Sequence, residues 1–273
     1  MIESISVRLL LFLGIASIEL VAFDQSASAH TFSGDESASF LALVKQLEAQ
    51  LNLVQSNIPS NITLAQQHAN QISDLLNATV NEEIAEESER VANELTSSIT
   101  DLQQTITSTK TPDEEGIREK VNNIDAILQE TVSIRIEEEQ LNNSTINGLT
   151  IYRILGETVE HYRSAFEMKG QLENNNNTTS SVSSNNNTFM INLTEYQTAQ
   201  AFAQKALDTF NETKENPATN SLQQPAAITE LDDSLGQFKN AIDNKDSYDT
   251  VFRIAEYQVV PNLQTVFNLK TKS

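Results

Sequence analysis

Residues 40–58 read FLALVKQLEAQLNLVQSNI, and this stretch decides the fold class. Its apolar side chains recur at steps of three and four residues: Phe40, Leu43, Leu47, Leu51, Val54 and Ile58. This spacing places them on one face of an α-helix, because the helix has about 3.6 residues per turn. Asp35 can cap the start of this helix, and Pro59 ends it. The pattern predicts a helix that buries one apolar face.

Apolar stripes with the same period cover most of the chain beyond this helix. They run over residues 64–76, 84–106, 117–132, 145–173, 196–210, 228–242 and 251–267. No segment alternates with period two for long enough to predict a sheet. Short connections favour antiparallel neighbours. We therefore predict an all-α fold, an antiparallel up-and-down bundle of about eight helices, arranged as one bundle or as two stacked smaller bundles.

Three local signals refine this expectation. The stripe over residues 84–106 passes through Ser88 without a break. The sequence TPDE at 111–114 predicts an N-cap at Thr111, with proline at the first helical position and glutamate at the third. The last helix begins near Ser247, and we expect Pro261 to kink or restart it.

The N-terminal segment, residues 1–29, has the three parts of an export signal. Arg8 carries the positive charge, residues 9–18 (LLLFLGIASI) form an apolar core, and residues 27–29 (ASA) form a cleavage site. The alternative is an uncleaved anchor, although the apolar core is shorter than the roughly 20 residues of a stable span. No second apolar stretch approaches that length. We expect a secreted or cell-envelope protein with no membrane span after cleavage.

The low-complexity stretch 174–188 (NNNNTTSSVSSNNNT) divides the exported chain. It has too few apolar side chains to bury, so we predict a disordered loop there. The expected organisation is a helical first part over residues 30–173 and a second part over 189–273 that packs on the first. The chain is also rich in N-x-[ST] sequons, which are compatible with a glycoprotein or with composition alone.

The composition excludes several classes of protein. The chain has 273 residues, with 38 acidic and 17 basic side chains, a formal net charge of −21 and no cysteine. Without cysteine it forms no disulfide, zinc ribbon or iron–sulfur cluster. Such an acidic chain without a basic patch binds nucleic acid poorly. The common catalytic motifs are absent, and acidic runs such as residues 137–139 are typical of solvated helix faces. We therefore expect a protein that is not an enzyme.

The three histidines carry the one specific chemical signal. Cleavage of the predicted signal would make His30 the N-terminal residue, whose α-amine and Nδ1 suit Cu(II). His68 lies in an apolar stripe, and the alternative to ligation is a core histidine bonded to a neighbour. His161 shares a helix face with Glu157 and Met168, and the alternative is a surface ion pair and a core methionine. These five residues are the predicted copper ligands.

Two resemblances bear on this site. The A-x-A-His junction at residues 27–30 resembles the histidine brace of copper proteins such as lytic polysaccharide monooxygenases and the soluble domain of particulate methane monooxygenase. That resemblance implies a metal role for His30 and no reaction. Residues 30–54 (HTFSGDESASFLALVKQLEAQLNLV) and 259–269 (VVPNLQTVFNL) resemble uncharacterised exported all-helical proteins of ammonia-oxidising archaea. That second resemblance implies an envelope location and a copper-rich milieu.

Three functional hypotheses follow. The one we favour is an exported, non-enzymatic helical binding or interaction protein of the cell envelope, with an acidic surface and no cofactor. It would act through an envelope protein or through self-association. The alternative is an extracellular copper-binding protein that uses a mature N-terminal His30. A copper oxidase or monooxygenase has the least support, because the sequence places no nucleophile, base and orienting group together.

Overall fold

The computed structural model describes residues 36–108, 113–166, 190, 192–216 and 225–270. Every regular element within these ranges is helical, so the all-α prediction is confirmed. The helices belong to one compact unit, Asp35–Leu269. The predicted signal peptide (1–29) and the predicted loop (174–188) lie outside the described residues. No helix of the described ranges is both long and apolar enough to cross a bilayer.

In chain order the helices are α1 Glu36–Asn57, α2 Ile62–Leu75, α3 Ala78–Ser108, α4 Glu114–Arg135, α5 Glu138–Leu141, α6 Ser144–Ala165, α7 Leu193–Glu215, α8 Pro225–Asp243, α9 Tyr248–Ile254, a π-helical turn Ala255–Val259, and α10 Val260–Phe267. Helix α1 is central and packs against α2, α4, α6 and α7. Its buried side chains include the polar Gln46, Glu48 and Gln50. Because buried polar groups need partners, α1 is where polar contacts between helices concentrate.

Helix α3 contains a break that the apolar stripe does not reveal. Ser88 has φ −158° and ψ 100°, which is extended rather than helical backbone. Its hydroxyl accepts a hydrogen bond from the Val91 N–H at 3.4 Å. Serine competes with helical hydrogen bonding in this way and then caps the segment that follows. The prediction of an unbroken helix through Ser88 is therefore wrong.

The start of α4 differs from the predicted one by two residues. Asp113, not Thr111, is the N-cap, and its carboxylate accepts a hydrogen bond from the Gly116 N–H at 3.1 Å. Aspartate caps a helix as well as threonine does. With this cap, Glu114 and Glu115 fall in the first turn, where negative charge is favoured by the helix dipole. This shorter helix thus replaces the predicted Thr111 capping box.

Ion pairs establish that α3 and α4 run in opposite directions. Glu83 pairs with Arg135 at 2.7 Å, Glu130 with Arg90, and Asp101 with Lys120. As the numbers rise along α3, they fall along α4. The pair is the antiparallel hairpin that the short connection predicts.

Helices α6 and α7 also pack side by side and antiparallel. His161 lies beside Glu195 near one end, while the Asn142 and Asn216 side chains meet near the other, 3.0 Å apart. Helix α6 ends at Ala165, earlier than the predicted helix over 145–173, and residues 167–173 lie outside the described ranges. The helices on either side of the predicted loop therefore pack directly on each other.

A π-helical turn precedes Pro261 near the C-terminus. Ser247 caps α9, as the sequence predicts, and the chain widens at Ala255–Val259 before α10. Proline donates no backbone hydrogen bond and its ring crowds the carbonyl four residues earlier, so a wider turn accommodates it. Helix α10 then packs on α6 at Gly148, where an added Cβ would lie 2.5 Å from the Phe267 ring.

Candidate functional site

His68 is fully buried between α1 and α7. Its Nδ1 lies 2.9 Å from Gln50 Oε1, and its Nε2 lies 2.9 Å from Gln197 Oε1. The structure thus places this residue in the core, with hydrogen-bonded neighbours at both ring nitrogens. Of the two interpretations of His68, this geometry matches the core histidine.

A chain of hydrogen bonds continues from Gln50 to Glu195. Gln50 Nε2 donates to the Thr198 hydroxyl at 3.2 Å, and that hydroxyl donates to Gln71 Oε1 at 3.0 Å. Gln71 Nε2 then donates to Glu195 Oε1 at 3.1 Å. The chain ends on a carboxylate and joins α1, α2 and α7.

A second arm runs from Gln197 back to α1. Gln197 and Asn57 pair through both ends of their amides, at 3.1 and 3.3 Å. Asn57 Nδ2 also donates to the Leu53 carbonyl at 2.9 Å. Together the two arms and the ring form what we call the His68 network: Gln50, Asn57, His68, Gln71, Glu195, Gln197 and Thr198.

The groups at the two ends of the His68 network determine the direction of its hydrogen bonds. The Leu53 carbonyl and Glu195 Oε1 each accept the hydrogen bond that reaches them. With both ends acting as acceptors, Gln50 and Gln197 each turn an oxygen toward the imidazole. Both ring nitrogens thus face an amide oxygen, an arrangement that a charged, doubly protonated ring would satisfy.

Burial acts against that charged form. Desolvation lowers the pKa of His68, and hydrogen bonds to Gln197 and Gln71 and the charge of Glu195 oppose the shift. A neutral ring must accept at one nitrogen, so one glutamine has to turn its amide. Gln197 is held by its paired contacts with Asn57. Turning Gln50 would instead place its oxygen against the Thr198 hydroxyl, which already donates to Gln71.

His161 is paired from a different helix than the sequence predicts. Its Nδ1 lies 2.5 Å from Glu195 Oε2, and its ring meets the Phe202 ring edge-on at 5.2 Å between centroids. Glu157, the predicted partner, is exposed on the preceding turn of α6. Glu195 thereby connects His161 to Gln71 and, through the His68 network, to His68.

The remaining predicted copper ligands cannot be placed beside these residues, because His30 and Met168 lie outside the described residues. Within the part of the chain that the structure describes, no group of three His, Cys, Asp or Glu side chains is arranged to hold a metal ion. The copper site thus stays a prediction.

A groove runs along α1 between α4 and α7, and we call it the α1 groove. Its first compartment has a volume of about 440 Å³, and amide and charged side chains line most of it. Its second compartment, of about 240 Å³, adjoins the first at Lys45, Glu48, Gln129 and Glu212. Aliphatic side chains line part of this second compartment: Leu41, Val44, Val132 and Leu141. The groove therefore changes from polar to partly apolar along α1.

A buried carboxylate lies at the floor of this groove. Glu48 is 8% exposed. Its Oε2 lies 3.0 Å from Lys205 Nζ and 3.5 Å from Lys45 Nζ, and its Oε1 accepts from Gln129 Nε2 at 2.8 Å. We call these four residues the Glu48 cluster. They connect α1, α4 and α7.

Two further carboxylates stand on opposite walls of the groove. Glu212 on α7 lies 3.4 Å from Lys45 Nζ. Asp125 on α4 has neither a hydrogen bond nor an ion pair within the described residues. Burial raises the pKa of Asp125, and the charge of Glu48 adds to that rise, while Lys205 and Lys45 oppose it. Asp125 is exposed, so it offers the groove a carboxylate that has no direct hydrogen bond or ion pair within the described residues.

The Glu48 cluster was not predicted from the sequence, where only runs of acidic residues were interpreted, as solvated helix faces. A signal was present. Glu48 directly follows Leu47 in the buried stripe of α1, and Lys205 directly precedes Ala206 in that of α7. A charged residue beside the buried stripe of each helix indicates that the two charges can pair if the helices pack together. The sequence does not show that these two helices do pack together.

Comparison with known proteins gives no match to a family model, to a curated protein or to a solved structure.

Proposed function

We propose that this chain is an exported, non-enzymatic helical binding protein of the cell envelope, and that the α1 groove is its binding site. The observation that carries the proposal is the Glu48 cluster at the floor of the groove. Burying charged groups costs free energy, and apolar residues of similar size would hold the same helices together as well. A charged cluster retained at the floor of a groove is therefore better explained by binding than by stability.

Two features of the sequence support the location and the partner. The predicted signal peptide supports export, and the net charge of −21 supports an acidic outer surface. Such a surface attracts cationic partners and steers them toward the protein. The proposed role is to hold a small ligand in the α1 groove and to present the acidic surface to an envelope partner or to a second copy.

Thermal unfolding of the full chain with a panel of small solutes tests this proposal. The panel contains amino acids, sugars, polyols, organic cations and organic acids, and helix content is followed by circular dichroism. We expect at least one solute to raise the Tm of the wild type and not that of Lys205→Met. A ligand at a hundred times its Kd adds about 2.7 kcal/mol to the stability of the folded state.

Lys214→Met is the matched control, because Lys214 lies on the same helix but pairs with Asp232 outside the groove. This variant should respond to the solute as the wild type does. A panel in which no solute shifts the wild type, or in which the shift persists in Lys205→Met, would contradict the proposal.

A further inference from the structure

The α1 groove also limits the chemical class of its ligand. Its two compartments have volumes of about 440 and 240 Å³, at or below the lower end of the roughly 300–1,000 Å³ typical of ligand pockets. The walls bring Lys45 and Lys205 near Glu48, Asp125 and Glu212. The groove therefore suits a small molecule that meets charges of both signs.

The lysines retain hydrogen-bonding capacity for a ligand. Lys45 Nζ lies 3.4 Å from Glu212 and 3.5 Å from Glu48. Both distances exceed the roughly 2.7–2.9 Å of a charge-assisted hydrogen bond. An ammonium carries three donors, so Lys45 can shorten a contact to a ligand carboxylate without giving up a strong bond within the protein.

Asp125 offers the complementary charge on the opposite wall. It is exposed and makes no hydrogen bond or ion pair within the described residues. The charge of Glu48 repels it, while the charges of Lys205 and Lys45 attract it. A ligand ammonium beside Asp125 would give this carboxylate a charged partner in place of water and offset the repulsion from Glu48. The groove therefore has a donor for a carboxylate and an acceptor for an ammonium.

The balance of charges in the groove argues against a ligand that carries charge of only one sign. The groove holds three carboxylates and two ammonium groups, in a chain of net charge −21. An anion would be repelled by the chain as a whole, and a simple cation would meet Lys45 and Lys205. A zwitterion matches both sets of groups, and the aliphatic end of the groove can cover an apolar side chain.

Resting on the proposed function, we infer that the α1 groove binds a small zwitterion of the class of aliphatic α-amino acids. The ligand carboxylate lies against Lys45 and Lys205, and its ammonium lies against Asp125. Its side chain lies toward Val44 and Val132.

Calorimetric titration of the full chain with L-leucine as the probe tests this inference. We expect saturable binding at one site, and binding at least about tenfold weaker for leucinamide and for N-acetylleucine, which each lack one charge. Asp125→Asn should weaken leucine binding by a similar factor. It should also remove most of the discrimination between leucine and N-acetylleucine, which a merely structural effect would leave intact.

Asp233→Asn is the control, since Asp233 is an exposed aspartate on α8 outside the groove. It should bind leucine as the wild type does. Absence of leucine binding, or equal binding of leucine and N-acetylleucine, overturns the zwitterion inference. If a sugar or choline then binds the wild type but not Lys205→Met, the proposed function stands with a different ligand. If no solute binds in a groove-dependent way, both proposals fall.

Discussion

Replacing Thr198 by valine isolates the contribution of the His68 network to stability. Thr198 is fully buried, accepts from Gln50 at 3.2 Å and donates to Gln71 at 3.0 Å. Valine keeps the shape of the side chain and exchanges the hydroxyl for a methyl group. The substitution therefore leaves packing nearly unchanged and removes two hydrogen bonds between helices.

The expected loss of stability follows from the groups left behind. Gln50 and Gln71 would each have a polar atom without its partner in the core, at roughly 1–3 kcal/mol per buried group. Some rotation of the two amides reduces this penalty. We expect Thr198→Val to lower the free energy of unfolding by about 2–4 kcal/mol.

Thr158→Val is the matched control. Thr158 is also fully buried, but its hydroxyl donates to the Ile154 carbonyl of its own helix at 2.7 Å. That carbonyl keeps its helical hydrogen bond when the hydroxyl is removed. The loss for Thr158→Val should therefore stay below about 1 kcal/mol.

Urea unfolding followed by circular dichroism measures both losses. For a slope of about 3 kcal/mol per molar urea, Thr198→Val should lower the midpoint by about 1 M. Combining it with Gln71→Leu should give a coupling energy of at least about 0.5 kcal/mol, because the two residues share a bond. Equal losses for the two threonine variants, or strict additivity with Gln71→Leu, would refute the idea that the network stabilises the fold.

Three further predictions concern pH, packing and processing. Because burial lowers the pKa of His68, its neutral form stabilises the fold above about pH 6.5, and that stability is lost as the pH falls below this value. Between pH 7.5 and 5.5 the wild type should therefore lose more stability than His68→Gln, and parallel urea midpoints would contradict this. Gly148→Ala should destabilise the fold by about 1–3 kcal/mol because the added Cβ meets Phe267. Gly156→Ala has open space around the added Cβ and should stabilise the fold by up to about 1 kcal/mol. Thermal unfolding measures both changes, and shifts of Tm with the same sign would contradict the packing argument. Intact mass spectrometry of the native protein should show a chain that begins at His30. Copper titration of that material would then reveal one tight Cu(II) site if the histidine brace exists. Another N-terminus, or no stoichiometric copper, would contradict the hypothesis of a copper-binding protein.

Much of the fold could be predicted, because helical periodicity is a local property. The stripe from Phe40 to Ile58 corresponds to α1, and the cap at Ser247 opens α9. The wrong predictions concern helix breaks and caps, where a polar side chain competes for backbone hydrogen bonds. The spacing of apolar residues does not reveal that competition. Ser88 breaks α3 through its own hydroxyl, and Asp113 takes the capping role from Thr111.

The candidate sites were much less predictable, because their members are far apart in the chain. His161 finds Glu195, which is 34 residues away, rather than Glu157 on its own helix. Glu48 pairs with Lys205, 157 residues away. The residue types were visible in the sequence, but their pairing depends on which helices pack together and in which register.

The sequence by itself determined the helical class, the apolar faces and the acidic charge, since these depend on the order and spacing of residues along the chain. Only the tertiary structure decided which polar groups meet inside the bundle. Apolar side chains pack against any apolar face, so their pattern leaves several arrangements open. Hydrogen bonds and ion pairs require particular atoms within about 3 Å, and packing in three dimensions alone sets those distances.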